Sequence, residues 1–255
     1  MTDLSINKLK FIVSLKLKKN RDEKGLFVAE GKKIIIDFIR QGHIPQLIVY
    51  TDSLKTKDDN IFNNVDEVFH CSSNDMKRMT NHKEASDVLA VFKMFNTDLN
   101  INELYNSLSV CLESIQDPGN LGTIIRTADW FGINNIICSE NCVDMYNPKV
   151  VQASMGSISR VKINYLNIKE LLINIKSQNP DFPIYGAFMD GIDMKNISSK
   201  DNALIIFGNE GNGISSEIER YINKRITIPR FPADKSFPES LNVSVAMSII
   251  VSHLR

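Results

Sequence analysis

Phe237-Pro-Glu-Ser-Leu-Asn-Val-Ser-Val-Ala246 is too apolar for a surface loop and too polar for an idle core helix. Ser240, Asn242 and Ser244 alternate with Leu241, Val243 and Val245 before the chain continues as an apolar run. A buried helix ordinarily opens with one capping residue and then turns apolar. Polar side chains at every second position therefore mark a helix start with a further duty. Two earlier segments share this mixed character, Gly208-Asn-Glu-Gly-Asn-Gly213 and Asn120-Leu-Gly-Thr-Ile-Ile-Arg126.

The glycine segment follows Ala203-Leu-Ile-Ile-Phe207, a continuous apolar run of the kind that buried parallel strands show. A helix pattern begins just after it. Open α/β sheets place ligands at such strand ends, and glycine lets backbone come close to a ligand. The spacing Gly208, Gly211, Gly213 is neither the dinucleotide fingerprint nor a phosphate-binding P-loop, so a pyrophosphate cradle is not expected. A glycine-rich connection with no ligand is the competing reading.

In the segment at 120–126, Asp117-Pro-Gly is turn chemistry and Asn120 suits a helix N-cap. Leu121, Ile124, Ile125 and Ala128 form one stripe at helical spacing, and Arg126 falls nearly opposite. Arg126 therefore meets solvent or a ligand; its place near a helix N-terminus at a strand end suits an anion. In the third segment Pro229, Pro232 and Pro238 with Phe231 and Phe237 hold a loop ahead of the final helix. Ser244, Ser248 and Ser252 recur every four residues, which serves either local packing or a dimer interface.

Around these segments strand and helix patterns alternate, giving an α/β reading throughout. Residues 1–95 read as one unit: a helix over 6–19 with Ile6, Leu9, Ile12, Val13 and Leu17 on one side, then strands near 26–30, 47–51, 68–71 and 88–95. Residues 96–107 are polar and suit a linker. Residues 108–255 form a second alternating series, with a helix over 215–223 and a last helix from 240.

The chain of 255 residues has a formal net charge of zero. Residues 1–33 nevertheless carry nine Lys/Arg against four acids, a net of +5. Lys16, Lys18, Lys19 and Arg21 there are either a polyanion contact or a solvated helix face. Cys71, Cys111, Cys138 and Cys142 lack paired metal spacing and read as reduced thiols of a cytoplasmic protein, with no metal. No apolar run is long enough for a membrane span and no secretory signal is visible.

Together the three segments resemble the SpoU (TrmH-like) branch of the SPOUT methyltransferases. Asn120–Arg126 matches the first family motif, Phe207–Gly213 with Glu210 the second, and Ile228-Pro229 with Ser240–Ala246 the third, in family order. Gly25-Leu-Phe-Val-Ala-Glu-Gly31 is similar to the family's small substrate-binding domain. The stretch between Pro229 and Ser240 is longer and richer in proline than the family pattern.

The resemblance implies a small α/β, L30-like RNA-binding domain followed by a parallel-sheet domain with a deep trefoil knot. It implies a homodimer that transfers a methyl group from S-adenosyl-L-methionine to a ribose 2′-hydroxyl of RNA. Arg126 would be catalytic, with Asn120, Glu210, Ser240 and Asn242 around the substrate. Phe207, Gly208, Asn209, Gly213, Ile228 and Leu241 would hold the cofactor. Arg126 and the basic N-terminal residues would contact RNA. The separate N-terminal domain points to ribosomal RNA. Transfer RNA as the substrate, and a non-catalytic RNA-binding protein of the same fold, are the alternatives.

Overall fold

The computed structural model describes residues 2–54, 60–95, 98–197, 202–231 and 240–255. The chain divides into two compact units, Met1–Asn96 with Asp144–Ser159, and Thr97–Val143 with Arg160–Arg255. Phe237, Pro238 and Pro232, three of the residues read as a loop-holding set, lie outside the described residues.

In the first unit, strands β1 (Thr2–Asp3), β2 (Leu26–Glu30), β3 (Leu47–Tyr50), β4 (Glu67–His70) and β5 (Val88–Lys93) form a mixed sheet in the order β1-β4-β3-β5-β2. Helices α1 (Ile6–Ser14), α2 (Lys18–Lys24), α3 (Lys32–Arg40) and α4 (Ser73–Met79) accompany it. The single helix expected over 6–19 is broken. Leu9, Ile12 and Leu15 are buried, whereas Ile6 and Leu17 face outward at 68% and 64% exposure. Chain 15–17 leaves the α-helical ladder, and the carbonyls it frees need donors. Arg21 supplies them, donating to Leu15 O (3.0 Å) and Lys16 O (2.9 Å), while Asn20 donates to Ser14 O (2.8 Å).

Those bonds overturn part of the basic-patch reading. Arg21 is buried, and its guanidinium also pairs with Asp144, so it is a structural brace and no phosphate contact. Lys16 is committed to the carbonyls of Arg78 (3.1 Å) and Thr80 (2.7 Å). Lys18 pairs with Asp22 one turn on. Lys19 alone of the four is exposed with no partner among the described residues.

In the second unit, β6 (Leu108–Leu112), β7 (Asn135–Cys138), β8 (Lys162–Tyr165), β9 (Ile184–Asp193), β10 (Ala203–Phe207) and β11 (Lys224–Thr227) form a sheet in the order β11-β9-β10-β6-β7-β8. Every pairing is parallel. β6 and β10 are wholly buried, as their apolar runs require. Helix α5 (Ile101–Tyr105) occupies part of the stretch that reads as linker, and buries Leu104 against the sheet. Helices α6 (Pro118–Trp130), α8 (Ile168–Gln178), α9 (Ser216–Glu219) and α10 (Val243–Leu254) complete this unit. Helix α7 (Pro148–Ser154) belongs instead to the first unit and packs on β2. The helix expected over 215–223 is only the four residues of α9.

The strand order places the site. From β6 the chain winds outward through α6 to β7, while from β10 it runs through α9 to β11 on the opposite side. β6 and β10 are neighbours, so the loops at their carboxyl ends part at a switch point.

Candidate active site

Helix α6 starts at Pro118, with Asp117 as the N-cap and Asn120 inside the first turn. The Asp117 carboxylate accepts the Asn120 N–H at 2.8 Å, which removes Asn120 from the capping role that the sequence suggests. Its side chain is thereby free for other partners. Asn120 Nδ2 donates to Glu210 Oε1 at 2.8 Å, and Asn120 Oδ1 accepts from Asn242 Nδ2 at 2.9 Å. The three segments thus meet through one chain of hydrogen bonds, Asn242–Asn120–Glu210.

Each link has a fixed direction. A carboxylate only accepts, so Asn120 must present its amide to Glu210 and its oxygen to Asn242. Asn242 in turn is the N-cap of α10, which begins at Val243 and not at 240. Its oxygen accepts from Ser244 N–H (3.0 Å) and Ser244 Oγ (2.6 Å), leaving only its amide for Asn120. The polar alternation in 240–246 is now explained: Asn242 caps the helix, Ser244 steadies the cap, and Ser240 lines a cavity.

That cavity has a volume of about 610 Å³. Phe207, Gly208, Asn209, Gly213, Ile228 and Leu241, the six residues expected to hold a cofactor, all line it, as do Glu210 and Ser240. The loop 208–213 closes on itself through reciprocal bonds between Asn209 and Gly213 (3.0 and 2.9 Å). A Cβ on Gly208 would lie 2.1 Å from the Gly213 carbonyl carbon, so only glycine permits this closure. β11 stops at Thr227, which leaves the peptide groups of Ile228 and Pro229 outside the ladder. Phe188, also in the lining, carries the Arg225 guanidinium 3.8 Å from its ring centroid. Arg225 also pairs with Asp190 and Glu219, and holds the Asp190 carboxyl below its usual range. Main-chain groups together with Ile228, Leu241 and Phe188 in one lining suit a flat heteroaromatic ligand with polar edges, and the volume is that of a small-molecule site.

Arg126 is exposed on α6, does not line this cavity, and has no ion pair or hydrogen bond among the described residues. The stripe of Leu121, Ile124, Ile125 and Ala128 is fully buried beneath it. Two of the three stripe serines of α10 turn inward: Ser244 is buried and Ser248 meets Thr127 of α6 at 3.2 Å, whereas Ser252 is exposed. No group of three or more potential metal ligands is present among the described residues.

A family model described as the SpoU rRNA Methylase family matches residues 107–252, and one described as an MRM3-like substrate binding domain matches 7–90. The chain belongs to the SpoU rRNA methylase family. It is an RNA methyltransferase whose cofactor is S-adenosyl-L-methionine, and the cavity at 207–213, 228–231 and 240–250 fits that group by size and lining. Among solved structures, an RNA methyltransferase of the TrmH family from Porphyromonas gingivalis is 34% identical, with a TM-score of 0.83 over 99% of this chain and 98% of that one. An AdoMet-bound rRNA methyltransferase from Sinorhizobium meliloti is 26% identical, with a TM-score of 0.85 over 100% and 96%. The 23S rRNA (guanosine(2553)-2′-O)-methyltransferase RlmP of Bacillus subtilis is 26% identical over 97% of this chain and 96% of its own.

Proposed function

We propose that this SpoU-family chain methylates a ribose 2′-hydroxyl of large-subunit ribosomal RNA, with the reacting ribose held beside the Asn242–Asn120–Glu210 chain. The observation that carries the reading is that chain itself. It joins three segments, 90 and 122 residues from Asn120 in sequence, at the rim of the cofactor cavity. Near full-length similarity to a 23S rRNA 2′-O-methyltransferase supports the substrate class.

Bound S-adenosyl-L-methionine supplies an electrophilic methyl group. The protein must then align the hydroxyl and give its proton a route. Arg126, an exposed guanidinium, grips an RNA phosphate beside the ribose by two parallel hydrogen bonds. That phosphate takes the hydroxyl proton. Asn120 and Glu210 keep the 208–213 loop and the ribose in register, and Ser240 faces the substrate side.

The enzyme works as a homodimer in the cytoplasm, and its C-terminal domain carries a deep trefoil knot. Exposed apolar side chains support the dimer: Trp130 on α6 is 84% exposed, and Leu241 and Val245 at the start of α10 are about half exposed. Arg126 shares the α6 face of Trp130, so a second copy seated there puts Arg126 at the subunit boundary. Free thiols at all four cysteines support a reducing compartment.

Unmodified large-subunit rRNA transcript, incubated with labelled S-adenosyl-L-methionine, tests the reading. Wild-type protein is expected to label the transcript at one 2′-hydroxyl. Arg126→Ala is expected to keep the fold and the cofactor affinity and to lose transfer. Wild-type turnover in Arg126→Ala would remove its assigned role, and an unlabelled transcript would remove the substrate class.

A further inference from the structure

The switch point between β6 and β10 holds a second cavity that the reaction as described does not use. Its volume is about 480 Å³ and its lining is polar, with Glu113, Gln116, Asn141, Asn209, Asn212 and Ser215. It shares Asn209, Asn212 and Gly213 with the cofactor cavity, so the 208–213 loop is a common wall of both. Parted loops at the carboxyl ends of parallel strands are where open sheets take ligands.

The walls are held from outside the cavity's own chemistry. Ser114 leaves β6 with φ 58°, an uncommon conformation for a residue with a side chain. Its N–H donates to Ser139 Oγ and its carbonyl accepts from Asn209 Nδ2, each at 2.8 Å. Asn209 Oδ1 accepts the N–H groups of Gly211 (2.9 Å) and Asn212 (3.1 Å), so the Asn209 amide is spent on structure. Glu113 Oε2 accepts the Ser215 N–H at 2.9 Å, which orients the carboxylate. The remaining capacity is the Oε1 of Glu113, the second lone pair of its Oε2, and the side-chain amides of Gln116, Asn141 and Asn212. Those three amides make no hydrogen bond among the described residues.

We propose that this cavity takes the base of the target nucleotide, and that Glu113 selects guanine. The proposal rests on the RNA methyltransferase reading above. An ionised carboxylate only accepts hydrogen bonds. Guanine alone among the four RNA bases places two adjacent N–H donors, N1–H and N2–H, on its Watson–Crick edge. Adenine and cytosine put an acceptor at the central position, and uracil flanks one donor with two carbonyls. The free amides can donate to guanine O6 and N7. Sequence-specific proteins read RNA in this way, on unpaired bases turned out of the stack. A base in this cavity lies across the shared 208–213 wall from the cofactor, which suits a ribose reaching round to the Glu210 end of the loop.

Titration of the full chain with GMP, IMP and AMP, followed by ligand-observed NMR, tests the proposal. GMP is expected to bind roughly tenfold more tightly than AMP, the size of one bidentate base contact. IMP lacks the 2-amino group and falls between them. Glu113→Gln keeps an acceptor for Ser215 N–H but presents a donor to guanine. It is expected to erase the preference while leaving the melting temperature and the S-adenosyl-L-methionine affinity at wild-type values. Asn141→Ala, at the exposed rim, is expected to weaken GMP without loss of fold. Equal binding of the three nucleotides by the wild type, or a preference that survives Glu113→Gln, overturns the assignment. Mapping the methyl group on the rRNA transcript gives an independent arm. A modified guanosine supports the proposal, and a modified adenosine, cytidine or uridine overturns it while leaving the methyltransferase reading intact. Should no transcript be labelled, that reading fails, and the nucleotide titration still decides the cavity.

Discussion

Asn120 spends both ends of its side-chain amide on distant segments, and neither end can be exchanged for the other. Replacing it with alanine removes the donor to Glu210 Oε1 and the acceptor for the Asn242 amide, while the Asp117 cap still receives the main-chain N–H of residue 120. Asn120→Ala is therefore expected to fold and to lose methyl transfer by about 10²-fold, the scale set by a misplaced reacting group. Asn120→Asp is expected to be worse, because a carboxylate there faces the carboxylate of Glu210. Single-turnover transfer rates with saturating cofactor check both; equal rates in the two variants would show that the bond direction is immaterial. Arg21 makes the opposite kind of demand. It is buried with Asp144, whose side chain is 11% exposed, and it caps two carbonyls. Arg21→Ala strands that charge and those acceptors, so a loss of about 3–5 kcal/mol in unfolding free energy is expected by urea titration. A loss under about 1 kcal/mol would mean that Arg21 acts as the surface cation its sequence context suggests.

The 208–213 loop is the element on which both cavities depend. Gly208 has no positive φ to explain it, and steric closure against Gly213 and Ile214 is its reason for being glycine. Gly208→Ala is expected to open the Asn209–Gly213 pair and to weaken S-adenosyl-L-methionine binding by at least about tenfold, read by calorimetry. The buried strand before it keeps the melting temperature close to wild type. Unchanged affinity would show that the loop does not shape the cofactor cavity. Much of this element was legible in sequence, because a buried strand, a glycine run and a helix start are local patterns. The stripe of α6 was legible for the same reason. The break at 15–17 was not: the apolar period continues through it, and the donors that make it affordable come from Arg21 and Asn20 further along the chain. Glu113 carried no local signal either. A carboxylate at a strand end becomes a candidate base reader only when β6 and β10, some 95 residues apart, lie side by side. The serine repeat in α10 was ambiguous because small residues serve any close helix contact; Thr127 of the same chain is what meets Ser248.

At the scale of the whole molecule, the chain assembles a cofactor cavity but keeps the exposed Arg126 elsewhere. Asn120 and Arg126 stand six residues apart on α6, which separates them by about 9 Å along the axis and turns them onto different faces. Asn120 reaches Glu210 and Asn242, whereas Arg126 shares an outward stripe with Thr123 and Trp130. A tryptophan at 84% exposure on a helix that also presents the exposed Arg126 is unfavourable for an isolated chain and favourable at a subunit contact. Leu241 and Val245, also exposed, lie at the start of α10, beside the start of α6 and away from Trp130. If a second copy covers the Trp130 face, a charge placed at its aromatic anchor should separate the subunits without touching either core. Trp130→Glu is expected to halve the molar mass measured by light scattering and to leave the melting temperature of the second unit near wild type. Methyl transfer should fall with the dimer, because Arg126 would no longer sit at a subunit boundary. Cofactor affinity tells two cases apart: retained in the monomer, it places the loss at Arg126 and the substrate; lost with the dimer, it means the cavity itself is completed by the second copy. A Trp130→Glu protein with wild-type mass and turnover would exclude this face as the dimer contact.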